Sequence, residues 1–121
     1  MSKQLKHWLK LVTENQRLYN QIYPVIRKQV LKTNPETSIV LTGGKQLGKN
    51  LFSFEIIITI DMQEELVDAE NNGWSVKHEV ISIDFLKFDI INEHEVSILT
   101  DLQTRLIRNA VDSYLRYNYT I

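Results

Sequence analysis

An α+β fold of one domain over residues 1–121 is predicted, with a long kinked N-terminal helix, a small mainly antiparallel sheet of three to four strands, and a C-terminal helix packed on it. Three observations predict it: a helical apolar period in the first third, strict alternation from Leu51 to Ile60, and a second helical period toward the C-terminus.

In the first third, Leu5, Trp8, Leu9, Val12, Tyr19, Tyr23, Ile26 and Val30 share one face at about 100° per residue, the period of an amphipathic helix. Pro24 removes the backbone donor to residue 20 and disfavours helical geometry at Tyr23. A kink or break is expected there, with segments at roughly 4–22 and 24–33 and a stop at Asn34-Pro35.

Ser38 to Thr42 reads as a strand, 43–50 as a turn-rich loop, and 51–60 as a strand joined to the first as a hairpin. Along 51–60 the even positions Phe52, Phe54, Ile56, Ile58 and Ile60 are apolar, while Ser53, Glu55 and Thr59 make the opposite face mixed. Between Asp61 and Gly73 the signals conflict. Helix formers and an Asp61/Glu64 capping relationship favour a short helix at 62–72, whereas Asn72-Gly73 is a strong hairpin turn. The helix is the expectation.

From Ser75 to Ile90 the chain is strand-like, with Ile81, Ile83 and Phe85 in one phase and Leu86, Phe88 and Ile90 in the other. A side-chain period of two makes that switch require a bulge near Phe85 and Leu86, and turns Asp84, Lys87 and Asp89 away from the apolar partners. Asn92, with Glu95 three residues on, is expected to cap a last helix over about 93–117. Its apolar set (Val96, Leu99, Leu102, Leu106, Ile107, Ala110, Val111, Tyr114) covers an arc wider than one flat contact needs. Its outer face carries Asp101, Arg105, Arg108, Asp112 and Arg116, with opposite charges spaced i,i+4.

Composition narrows the chemistry. Hydrophobic residues make up 43% and charged residues 24%, the balance of a folded domain, and with no cysteine present disulfides, thiolate metal sites and cysteine nucleophiles are excluded. No apolar run is long enough to span a bilayer and the first ten residues lack a secretory core, so no membrane contact and a cytoplasmic location are expected. The net charge of −1 hides an asymmetry: residues 1–50 hold nine bases and two acids, residues 51–121 five bases and thirteen acids. Such a chain has a basic half able to meet an acidic partner, nucleic acid included, or its own acidic half.

Gly43-Gly44-Lys45-Gln46-Leu47-Gly48-Lys49-Asn50 matches the glycine and lysine spacing of a phosphate-binding P-loop. Three features oppose that reading. Asn50 stands where a magnesium-binding hydroxyl belongs, 51–60 is strand-like where a helix is needed, and Asp61 follows too soon to be the metal-binding acid. The segment is therefore expected to be a glycine-rich basic hairpin loop. His7, His78 and His94 are scattered without metal-ligand spacing, and Glu55, Glu79, Asp84 and Asp89 are expected to be separate solvent-facing carboxylates.

On the helical wheel Lys3, Lys6, Lys10, Arg17, Lys28 and Lys32 cluster opposite the apolar face, and the loop residues Lys45 and Lys49 extend this basic set. Lys3, Lys6, Lys10, Arg17, Lys28, Lys45 and Lys49 are the candidate residues for an acidic partner or nucleic acid. In the C-terminal tyrosine run, Tyr114 and Tyr117 fit the buried arc, and Trp8 and Trp74 are assigned to the core. No catalytic residue, metal or cofactor is predicted. The expected function is a non-enzymatic interaction or assembly protein that binds itself or another protein. The alternatives are a nucleic-acid-binding protein and, third, a nucleotide-binding enzyme through the degenerate P-loop-like segment.

Overall fold

The computed structural model describes residues 3–34, 36–68 and 73–120, with side chains from Asn15 onward except at 65–68 and 74–76. Five elements follow in order: α1 (Lys3–Val30), β1 (Ser38–Leu47), β2 (Asn50–Asp68), β3 (Gly73–Ile91) and α2 (Asp101–Tyr119). The strands form one antiparallel meander in the order β1-β2-β3. Both helices pack on one face, α1 over β1 and α2 over β3, and touch each other.

The alternation of β2 is what builds the core. Phe52, Phe54, Ile56, Ile58 and Ile60 are all buried, roofed by Ile22, Ile26 and Val30 of α1 and by Ile107, Val111, Leu115 and Tyr119 of α2. Phe52 stacks on Phe54 at 5.4 Å between ring centres and meets Phe88 edge-on at 5.4 Å. The expected bulge is present: Glu55 pairs with Lys87 and Ile56 with Phe85, so Leu86 is the extra residue. A second lies at Ile81, between the pairs Thr59–Ser82 and Ile60–Val80. Together they keep Ile90, Phe88, Phe85, Ile83, Val80 and His78 opposite even-numbered β2 residues, although their own parity changes twice. Ile81 and Leu86 themselves are left 61% and 60% exposed.

The two helices run parallel. Tyr19 lies beside Ile107 and Ala110, Tyr23 meets Tyr114 edge-on at 4.8 Å, and the Thr33 and Tyr119 hydroxyls share a hydrogen bond of 2.6 Å. Burial, with the Tyr23 phenol next to it, pushes the Tyr114 hydroxyl up to about 12. Burial raises Tyr19 and Tyr119 as well.

Four expectations are corrected. Pro24 lies inside α1, which is one helix and not two segments. The lost N–H and ring clash cost about 3 kcal/mol, and complete burial of Ile22 and Ile26, each contributing about 1.5–3 kcal/mol, offsets this. The short helix at 62–72 is replaced by strand: β2 continues to Asp68 and β3 begins at Gly73, so pairing with 73–79 outweighs local helix propensity. The residues between, 69–72, lie outside the described residues.

The last helix starts at Asp101, not near 93. Asn92 caps a turn, its Oδ1 accepting from the N–H groups of His94 and Val96 at 2.9 and 3.1 Å, and Glu95 there has φ 60°. The helix is capped by Thr100, whose hydroxyl accepts from the Gln103 N–H while the Gln103 side chain accepts from the Thr100 N–H. Finally, Tyr117 is 86% exposed and Tyr119 is buried, because the buried row of α2 steps by four through Ile107, Val111, Leu115 and Tyr119.

Candidate functional site

Position along β2 organises the surface. At the start of β2, Arg17, Leu18 and Gln21 of α1 surround a recess of about 430 Å3 with Leu47 and Gly48 of the β1–β2 turn and Gln103 of α2. Far along it, Thr120 at the end of α2 lies beside Asp61, Gln63 and His78. The molecule therefore has two ends, the turn end and the ribbon end. α1 is antiparallel to β1, and its N-terminal part leads toward the turn end, about 21 Å of helix from Arg17 back to Lys3 at 1.5 Å per residue.

Several predicted basic residues lie on elements that lead to the turn end. Arg17, Lys45 and Lys49 are all exposed there. Lys3, Lys6 and Lys10 lie on the part of α1 that leads to this end, and their side chains, like those of His7 and Trp8, are outside the described residues. Lys28 and Lys32 are exposed near the other end of α1. The predicted stripe is thus divided by position, with the two hairpin lysines joining its N-terminal part.

The expected loop over 43–50 is corrected: Gly43 to Leu47 is paired strand, because β2 extends the ladder along it, and only a two-residue turn follows. Gly43 to Leu47 pair with Phe54 to Asn50, and the helix that would focus backbone donors on a phosphate is replaced by β2. Gly43 and Gly44 have packing reasons to be glycine: a Cβ at Gly43 would come within 3.0 Å of the Phe54 ring, and one at Gly44 within 3.0 Å of the Phe52 carbonyl. Gly48, at φ +63°, makes the turn that returns the chain from Leu47 to Asn50.

The polar candidates stay apart, as their strand positions require. Glu55 sits opposite Lys87, Asp84 opposite Ile57, and Asp89 accepts from Ser97 Oγ at 2.5 Å, tying the 92–97 turn to β3. His78 is buried with an unpartnered Nδ1, whereas its neighbour Glu79 is exposed and His94 is exposed in the turn. Among the described residues no group of three metal-ligating side chains forms, and no helix is long and apolar enough to cross a membrane.

The helix α2 divides its charges unevenly. Asp112 accepts from Arg116 at 2.7 Å, but Arg108 lays its guanidinium over Phe85 and Phe88, 5.4 and 5.9 Å from the ring centres. The first half of the predicted apolar arc is left open: Leu102 is 46% and Leu106 43% exposed, and in the segment leading to α2 Val96 is 57% and Ile98 40% exposed. Sequence periodicity found Val96, Leu102 and Leu106 but could not tell that the fold leaves them exposed. Ile98 and Leu99 border the recess beside Arg17, next to the exposed Glu93 and Glu95 of the 92–97 turn. The chain matches no known family model, no curated protein and no solved structure.

Proposed function

We propose that this protein is a non-enzymatic interaction module that associates with itself. The observation that carries this reading is the exposure of Val96, Ile98, Leu102 and Leu106, apolar residues in and just before the start of α2. Helix residues of this kind are ordinarily buried, and a second protein surface is the simplest cover. The reversed charges of the two halves favour like molecules as partners.

Native mass spectrometry of the intact chain tests it. A discrete oligomer is expected, and Leu102→Lys with Leu106→Lys is expected to return it to monomer without loss of helix signal. A strictly monomeric protein at high concentration would end the reading.

A second reading rests on a specific observation, exposed Arg17 beside the recess at Gly48, with exposed Lys45 and Lys49 in the adjoining hairpin. Exposed cations on one end suit a phosphate backbone, and nucleic-acid affinity would then fall steeply as salt is raised. Fluorescence anisotropy with labelled duplex and single-stranded oligonucleotides at low salt tests that alternative, and absence of binding there would close it.

A further inference from the structure

The solvent side of α2 is patterned along its whole length. Ile107, Val111, Leu115 and Tyr119 form its buried row, and at about 100° per residue the opposite side carries Leu102, Leu106, Asn109, Ser113 and Tyr117 within about 80° of one another. All five are exposed, Tyr117 by 86%. Steps of four, three, four and four residues are those of a seam along which a second helix can lie.

This seam matches itself when reversed. Turned end for end about Asn109, it sets Leu102 opposite Tyr117, Leu106 opposite Ser113, and Asn109 opposite its own copy. A leucine then meets a ring at each end and a small residue further in, as interdigitating side chains require. The two carboxamides, which both donate and accept, meet at the centre.

Charge along one flank repeats the pattern. Asp101, Arg105, Asp112 and Arg116 fall within about 60° of one another, on the flank away from α1, which meets α2 at Leu106, Ile107 and Ala110. Their signs alternate from acid to base, so the reversed row sets an opposite charge against every member. Arg108, the remaining base of α2, is withdrawn over Phe85 and Phe88. Asp112 holds Arg116 at 2.7 Å, whereas among the described residues Asp101 and Arg105 have no ion-pair partner.

We infer that α2 pairs antiparallel with α2 of a second copy about a two-fold axis at Asn109, Leu102 and Leu106 of each copy covered by Tyr117 and Ser113 of the other. Asp101 and Arg105 then meet Arg116 and Asp112 across the seam. This rests on the self-association reading and gives it a geometry. The antiparallel arrangement sets the charged flanks of both helices side by side, and a contact of this symmetry closes as a dimer. α1 offers no such match, because residues 15–34 carry Arg17, Arg27, Lys28 and Lys32 and no acid.

The full chain tests this in two arms. Since it has no cysteine, Asn109→Cys places a single thiol at the axis, and mild oxidation is expected to link it into a covalent dimer, while Lys32→Cys, exposed just after α1, stays unlinked. In the second arm sedimentation equilibrium compares the wild type with Arg105→Glu and with Asp112→Lys, circular dichroism checking that each is folded. Each variant alone is expected to dissociate at least about tenfold more readily, because both central contacts become like-charged. An equimolar mixture of the two should recover the wild-type affinity, since each reversed charge then meets its opposite. A wild-type dimer that fails either arm overturns the antiparallel α2 pairing and leaves self-association through another surface standing. A wild-type monomer overturns both.

Discussion

The same two strands behave differently on either side of Ile60. Between Asn50 and Ile60, β2 has a partner on each edge and two helices over one face, and all five even-numbered side chains from Phe52 to Ile60 are buried. Past Ile60 the hydrogen-bonded ladder continues for eight more residues of β2 with one partner strand, while Met62 and Glu64, on the face that was core, are exposed. Ladder pairing and burial are thus separable. The covered half holds most of the stability, because an isolated two-stranded ribbon is at best marginal in water.

The largest effect is expected at the centre of the covered half. Phe52→Ala removes a fully buried ring that touches two other rings and should cost about 3–5 kcal/mol, read from the urea midpoint. Gly43→Val should cost about 1–3 kcal/mol by the same measurement, because its side chain must displace the Phe54 ring. Tyr119→Phe removes the hydrogen bond to Thr33 where the helices end and should cost about 1 kcal/mol. In the ribbon, Met62→Ala should change stability by no more than about 0.5 kcal/mol. A Met62 effect as large as that of Phe52 would erase the contrast and show the ribbon to be part of the core.

Alkaline pH probes the helix seam of the covered half. The Tyr114 hydroxyl is held up to about 12 when folded, against about 10 in an unfolded chain. Between these values the unfolded chain loses its proton first, so this contribution is complete below pH 10 and is lost as pH rises toward 12. Urea midpoints measured across that range should fall, and less steeply in Tyr114→Phe.

Much of the covered half was legible in the sequence. The β2 alternation, the need for a bulge near Leu86 and a strand rather than a helix after the glycine-rich segment all follow from side-chain period. The Thr100/Gln103 capping box was equally legible, but Asn92 with Glu95 offered a competing signal that the 92–97 turn absorbs. The bulge at Ile81 was hidden because Val80 and Ile81 are adjacent apolar residues, and only the helix above decides which one enters the core. In the ribbon the local signal misled: the helix formers of 62–70 lost to pairing with 73–79.

By itself, the sequence determined the fold class, the apolar faces of β2 and of the helices, and the opposed charges of the two halves. These follow from periods of 100° or 180° per residue and from composition, which are properties of neighbouring residues. Only the tertiary structure decided where β2 ends, that Tyr119 and not Tyr117 is buried, and that Gly43 to Leu47 is paired strand. Coverage and proximity depend on partners distant in the chain, and local periodicity carries no record of them.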